Sequence, residues 1–179
     1  YVQYDIAHDQ VCHILTGERD YCTPAVYTPQ PGRLYHNERN GTFRDVSARA
    51  LLGGTFGPGL GVSTADFNND GWIDIYVAND TTANFLFINQ GGGQFVESAI
   101  TLGCAVDHNG SAQASMGVAC GDFDRNGLLD LYCTHFQYES NTLYQNFGPG
   151  GFEDVTGKMG LHSPTYAMLG FGTVMVDFD

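Results

Sequence analysis

The sequence predicts an all-β chain, a partial β-propeller of four-stranded antiparallel blades behind an irregular N-terminal cap. Three observations carry this. First, an acidic loop, Asp66-Phe67-Asn68-Asn69-Asp70-Gly71-Trp72-Ile73-Asp74, returns as Asp122-Phe123-Asp124-Arg125-Asn126-Gly127-Leu128-Leu129-Asp130. A third copy, Asp177-Phe178-Asp179, opens after almost the same interval. Second, another motif keeps step with the loops. It reads Leu34-Tyr35-His36-Asn37 with Phe43, Leu86-Phe87-Ile88-Asn89 with Phe95, and Leu143-Tyr144-Gln145-Asn146 with Phe152, and its small differences in spacing fall in the turns. Third, the segments between alternate apolar and polar with period 2, the signature of a strand and not of a helix. Strand, loop, strand, turn, strand, turn, strand at a near-constant interval describes one propeller blade.

Taken in order, residues 1–32 have no repeat character and hold three of the six prolines with Cys12 and Cys22. They read as a cap, and the two cysteines bracket a short irregular segment that a disulfide would staple, a closure worth roughly 3 kcal/mol. Residues 33–52 hold half a unit, with a short turn near 47–52. Residues 53–103 and 104–161 are whole units. In the first, residues 61–67 alternate into the loop, 73–77 alternate out, Asn84 to Asn89 form the third strand, Gly91-Gly92-Gly93 the turn, and Phe95 to Ala99 the fourth strand. Residues 162–179 open another unit. Cys120 and Cys133 flank the second loop on strands that run side by side, and are either a bridge or two small buried residues. Propellers close with about four to eight blades, and four units of this length exceed 179 residues. The expectation is that other blades complete the ring, from a longer polypeptide or from elsewhere.

Composition excludes several function classes. A formal charge of −13, from 20 acidic against 7 basic residues, argues against nucleic acid, whose phosphates demand a basic face. No run of 18 apolar residues exists to span a membrane. The first residue is Tyr1, not Met, which suggests a mature or fragmentary product, so the lack of a signal peptide does not argue against export. No CxxC or CxxCH occurs, which removes support for zinc-ribbon and c-type haem readings.

Eight of the 20 acids fall in the three loop copies. Oxygen donors at positions 1, 3, 5 and 9, with Gly at 6 for the sharp turn, suit calcium, which takes six to eight oxygens from carboxylates, amides and backbone carbonyls. The expected ligands are Asp66, Asn68, Asp70 and Asp74 with the Trp72 carbonyl, then Asp122, Asp124, Asn126 and Asp130 with the Leu128 carbonyl. Asp177 and Asp179 begin a third site. An EF-hand is the competing motif, but the Glu it needs at position 12 is Val77 or Cys133 here, and the flanks are strands. Turn formation by Asp, Asn and Gly is the structural alternative; two loops in register make it the weaker one. Two bound Ca²⁺ would bring the charge only from −13 to −9.

These residues resemble the FG-GAP/VCBS repeats of calcium-binding propellers such as the integrin α-subunit head. The match runs through Gly61-Val62 and Asp66 to Asp80, Met116-Gly117-Val118-Ala119-Cys120-Gly121-Asp122 to Tyr132, and Leu169-Gly170-Phe171-Gly172-Thr173 to Asp179. Arg19-Asp20-Tyr21-Cys22-Thr23-Pro24, followed by Arg33-Leu34-Tyr35, is similar to the propeller start in the bacterial branch that often carries a C-terminal ASPIC/UnbV domain, a branch related to cartilage acidic proteins. No such domain is present in these 179 residues. Asn68 and Asn126 replace aspartates common in the family, leaving three carboxylates per loop.

Catalytic patterns are thin. Gly61-Val62-Ser63-Thr64-Ala65 lacks the last Gly of a nucleophile elbow. The six histidines, among them His135 after a strand, show no metal-binding spacing, and His135 reads as a surface residue. Asn40, Asn79 and Asn109 each open a glycosylation sequon, with Asn-Gly doubling as a hairpin turn at Asn40 and Asn109. The functional expectation is an extracellular or periplasmic, calcium-stabilised module that binds protein or glycan or joins a larger assembly, and is not an enzyme. The alternatives are a propeller-based carbohydrate-active enzyme and an accessory subunit of a membrane or extracellular complex.

Overall fold

In a computed structural model, which describes residues 1–50 and 52–178, the chain is all-β with antiparallel pairing throughout. Its N-terminal part forms β1 (Val2–Gln3), β2 (Cys12–His13), β3 (Arg19–Asp20) and β4 (Thr28–Pro29). These are too short to build a core, and pair only as β1 with β4 and β2 with β3. The expected staple is there: Cys12 and Cys22 are disulfide-bonded across a separation of 10 residues. Next come β5 (Tyr35–Asn37) and β6 (Phe43–Asp45), paired with each other.

Two four-stranded sheets follow, and each runs through its strands in chain order. The first holds β7 (Gly59–Ala65), β8 (Asp74–Asn79), β9 (Phe85–Asn89) and β10 (Phe95–Glu97). A short helix α1 (Ala99–Leu102) then leads to the second, β11 (Val118–Gly121), β12 (Asp130–Cys133), β13 (Thr142–Asn146) and β14 (Phe152–Asp154), with α2 (His162–Tyr166) beyond. Ala99 therefore opens a helix and does not end a strand. Gly103, at φ 80°, terminates this helix in the left-handed conformation that favours glycine.

In the first sheet apolar side chains lie on both faces, because both are packed upon. One face of the first sheet, with Tyr76, Ala78, Leu86 and Ile88, packs against Leu131, Cys133, Tyr144 and Phe152 of the second in the main core. The ring of Phe67 meets that of Phe152 edge-on at 6.3 Å. The opposite face, with Phe87 and Phe95, packs against Ala50 and Leu52. Two glycines at equivalent positions permit close backbone approach, Gly61 to the segment leading into β11 and Gly117 to the C-terminal segment. A Cβ on Gly61 would lie 2.6 Å from the Met116 carbonyl oxygen, and one on Gly117 would lie 1.9 Å from that of Phe171.

Register decides the cysteine alternatives. Cys120 stands opposite Leu131 and Cys133 opposite Val118, so no bridge joins them. Cys104, Cys120 and Cys133 are free thiols. Burial pushes Cys133 up to about 12, and Cys104 likewise upward, which leaves both as inert core residues.

Candidate metal centres

Each acidic loop joins the first two strands of a four-stranded sheet, and the two share one hydrogen-bond scheme. Position 1 receives two backbone N–H groups. Asp66 accepts from Asp70 at 3.1 Å and Gly71 at 2.8 Å; Asp122 accepts from Asn126 at 3.0 Å and Gly127 at 2.9 Å. Position 5 receives the N–H of position 7, Trp72 onto Asp70 at 2.8 Å and Leu128 onto Asn126 at 2.7 Å. To turn this tightly, positions 4 and 6 both take positive φ: Asn69 at 57° and Gly71 at 88°, Arg125 at 61° and Gly127 at 85°. Glycine at 6 meets that need without a Cβ penalty.

Positions 3 and 5 exchange their chemistry between the loops. Asn68 donates its amide to Asp70 Oδ2 at 2.9 Å, whereas Asn126 donates its amide back to Asp124 Oδ2 at 3.2 Å. Each loop thus keeps one amide and one carboxylate at this pair. Gln145 also donates to Asp124.

Position 9 is fully buried in both loops and clamps two backbones together. Asp74 accepts from Phe67 N at 2.9 Å and Asn89 N at 2.8 Å. Asp130 accepts from Phe123 N at 3.0 Å and Asn146 N at 2.7 Å. Burial pushes both carboxyls above the usual range, the N–H bonds pull them back, and the neighbouring loop aspartates push them up again. A cation among these oxygens would relieve both the burial and the mutual repulsion.

Oxygens of Asp122, Asp124 and Asp130 lie within 4.8 Å of one another, the spacing of a cation site. Among the described residues, the first loop's three carboxylates do not gather in this way. There the third position is the amide of Asn68 and its carboxylate partner sits at position 5. The donor set of the second loop, hard oxygens only, fits calcium. Asp177 lies beyond the loops, where Val174 to Asp177 line an open cleft with Gly121, Asp122 and Arg125. Asp179 falls outside the described residues.

The sequence pattern places Asn89 and Asn146 in a recurring motif without giving them a role. Their side chains bolt the loops down. Asn89 donates to the Ile73 carbonyl at 3.0 Å. Asn146 donates to Leu129 O at 3.0 Å and, across the two sheets, to Phe67 O at 2.8 Å. Their recurrence in step with the loops was the available signal. Asn146→Ala removes the donor to one buried and one half-buried carbonyl and is expected to lower unfolding free energy in urea by about 2 kcal/mol. Asn89→Ala, with one bond of this kind in a more exposed place, should cost less than half of that.

His135 is a correction. It is fully buried, not at the surface. Its Nε2 lies 3.0 Å from Thr142 Oγ1, which donates at 2.7 Å to Gln113 Oε1. Asn79 is likewise fully buried, so that sequon is closed to a glycan in the folded chain.

A repeated all-β unit with an acidic clamp loop between its first two strands is the class that fold and site define. The FG-GAP-like repeat matches residues 20–77 and again 66–133, more than half the chain together, and the chain belongs to that family. Both matches end at equivalent strand residues, Val77 and Cys133. The chain is also similar to cartilage acidic protein 1 from Homo sapiens, 32% identical over 140 residues, covering 76% of this chain and 20% of that protein. It is 39% identical over 88 residues to the Mus musculus protein of the same name, covering 49% of this chain and 13% of that one. The Xenopus tropicalis protein is 32% identical over 124 residues, 68% and 18% of the respective chains. The chain spans about a fifth or less of the length of these relatives. Among the described residues, no helix is long and apolar enough to cross a membrane.

Proposed function

We propose that this chain is a calcium-stabilised segment of a β-propeller that works outside the cytoplasm as a binding or assembly module for protein or glycan. Its units are half a blade at 33–52, blades at 53–103 and 104–161, and the start of another at 162–179. The observation that carries the reading is the convergence of Asp122, Asp124 and Asp130 within 4.8 Å, in a loop whose backbone scheme is repeated at Asp66 to Asp74. Asp66, Asn68, Asp70 and Asp74 are the corresponding donors of the first loop, with Asp177 and Asp179 belonging to a third. In each whole loop the carbonyl of position 7, from Trp72 or Leu128, completes the set.

Calcium here is a clip and not a reagent. It ties the turn between the two inner strands to the buried aspartate that already holds the neighbouring strand. The relatives' name, cartilage acidic protein 1, supports an extracellular setting. In thermal denaturation, calcium at about 100 times its Kd should add roughly 2.7 kcal/mol per site, seen as a rise of several degrees in melting temperature that EDTA reverses. Asp122→Asn with Asp124→Asn should remove the second loop's share. A melting temperature indifferent to calcium and EDTA would sink the metal reading.

A further inference from the structure

The chain contains three Asn-Gly pairs, Asn40-Gly41, Asn109-Gly110 and Asn126-Gly127. Such a pair carries a latent reaction of its own. The backbone nitrogen that follows an asparagine can attack that asparagine's Cγ, and a glycine there has no Cβ to hinder the approach. All three asparagines are exposed, so access to water does not separate them. Their hydrogen bonds do.

At Asn126 both reacting nitrogens are held. The attacking one, Gly127 N–H, donates to Asp122 Oδ2 at 2.9 Å. The amide nitrogen that would have to leave donates to Asp124 Oδ2 at 3.2 Å and to the Asn146 carbonyl at 3.1 Å. One donor, Leu128 N–H at 2.7 Å, reaches its Oδ1. At Asn109 the attacking nitrogen alone is held, because Gly110 N–H donates to the Asp107 carbonyl at 2.9 Å.

Asn40, at the tip of the β5–β6 hairpin, is the reverse case. Among the described residues, Gly41 N–H and Asn40 Nδ2 donate to nothing. Oδ1 of Asn40 instead accepts twice, from Thr42 N–H at 3.0 Å and from the Thr42 hydroxyl at 2.7 Å. Two donors on one carbonyl oxygen stabilise the oxyanion of a tetrahedral intermediate. Nucleophile and leaving group are free, and the oxygen between them is prepared for charge.

We infer that the β5–β6 tip is a self-modifying site, where Asn40 loses its side-chain amide through a cyclic imide while Asn126 keeps its own. Gly41 N forms a bond to Asn40 Cγ and gives up its proton. The Cγ–Nδ2 bond breaks, and Nδ2 leaves with that proton as ammonia. Water then opens the imide. Breaking the bond to Cγ gives aspartate; breaking the bond to the Asn40 main-chain carbon gives isoaspartate, with the chain now running through Cβ and Cγ. Nothing is oxidised or reduced, and water is the only co-reactant. Either product adds a negative charge to a hairpin whose Glu38 already engages Arg44. The inference goes beyond the calcium reading and does not rest on it, since the bonds that protect Asn126 are made by the chain itself.

The test incubates the intact 179-residue chain at neutral pH in chelator, made in a bacterial host so that no glycan occupies Asn40. Peptide mapping by mass spectrometry, in water enriched in heavy oxygen, follows the label that each opened imide takes up. Amide loss at Asn40 is expected to run at least about tenfold faster than at Asn126, with Asn109 between them. Thr42→Val removes the hydroxyl donor and should slow Asn40 about five- to tenfold, and Thr42→Ser should restore the rate. In urea, where the turn is lost, the three sites should react alike and the Thr42 variants should match wild type. An Asn40 that keeps its amide as long as Asn126 in the native chain overturns the proposal. So does a Thr42→Val variant that reacts at the wild-type rate, or an Asn126 that reacts as fast folded as in urea.

Discussion

Asp130→Asn is expected to lower the unfolding free energy by about 3 kcal/mol, measured by urea denaturation in the presence of chelator. The carboxylate of Asp130 is fully buried and takes the Phe123 N–H on one oxygen and the Asn146 N–H on the other. An asparagine has one acceptor oxygen. Whichever way its amide is turned, an NH₂ group faces a backbone N–H, and one buried donor goes without a partner. The surviving bond also loses its charge assistance. Burial holds this carboxyl above the usual range, so removing the charge returns part of the loss, which keeps the figure from rising further. Chelator separates this structural clamp from any metal. Asp124→Asn, at an exposed position, should then cost less than about 1 kcal/mol, while in calcium it should remove a ligand. Equal losses for the two variants in chelator would contradict the clamp.

Acid should destabilise the fold through His135. Burial depresses its ring to about 4, against the ordinary 6.5; the Ala114 main chain and the Asp154 and Asp107 carboxylates oppose the shift and lose. Thr142 Oγ1 gives its proton to Gln113, so it accepts from His135 Nε2–H. Nδ1 is then left bare, buried and without a partner. The unfolded chain takes up the proton first. The stability that the neutral ring allows is therefore complete above about pH 6.5 and is lost as pH falls through about 4. The total is about 3 kcal/mol at roughly 1.4 kcal/mol per unit. Asp74, Asp130 and Glu139 act the other way in acid, because burial raises their carboxyls and folding then holds their protons more tightly. Comparing wild type with His135→Gln isolates the histidine: the variant should be flatter between about pH 6.5 and 4. Parallel curves would contradict a buried neutral ring.

Much of this was legible because it is local and repeated. The two loops, their glycines and the strands around them are written in short windows that recur in step, so Gly71 and Gly127 read as turn positions from the sequence alone. The Cys12–Cys22 staple is local too. What escaped is non-local. His135 looks like a residue leaving a strand for solvent, and only Gln113 and Thr142, brought from elsewhere in the chain, explain its burial. Cys120 and Cys133 sit on paired strands, and a small offset in register decides that they never meet. Ala99 continues a strand pattern, yet Gly103 and the packing of Ala99 into the core favour one helical turn. The unequal gathering of carboxylates, tight in the second loop and looser in the first, follows from an exchange of Asn and Asp at two positions that leaves each loop with the same three carboxylates.

The central claim is that these loops hold calcium, and calorimetric titration of the intact chain with Ca²⁺ tests it most directly. Two sites per chain are expected, with Kd on the order of 10⁻⁴ to 10⁻³ M, falling to one when Asp122 and Asp124 are both replaced by asparagine. A titration with no heat beyond dilution, and none of the expected loss in the variant, would contradict it.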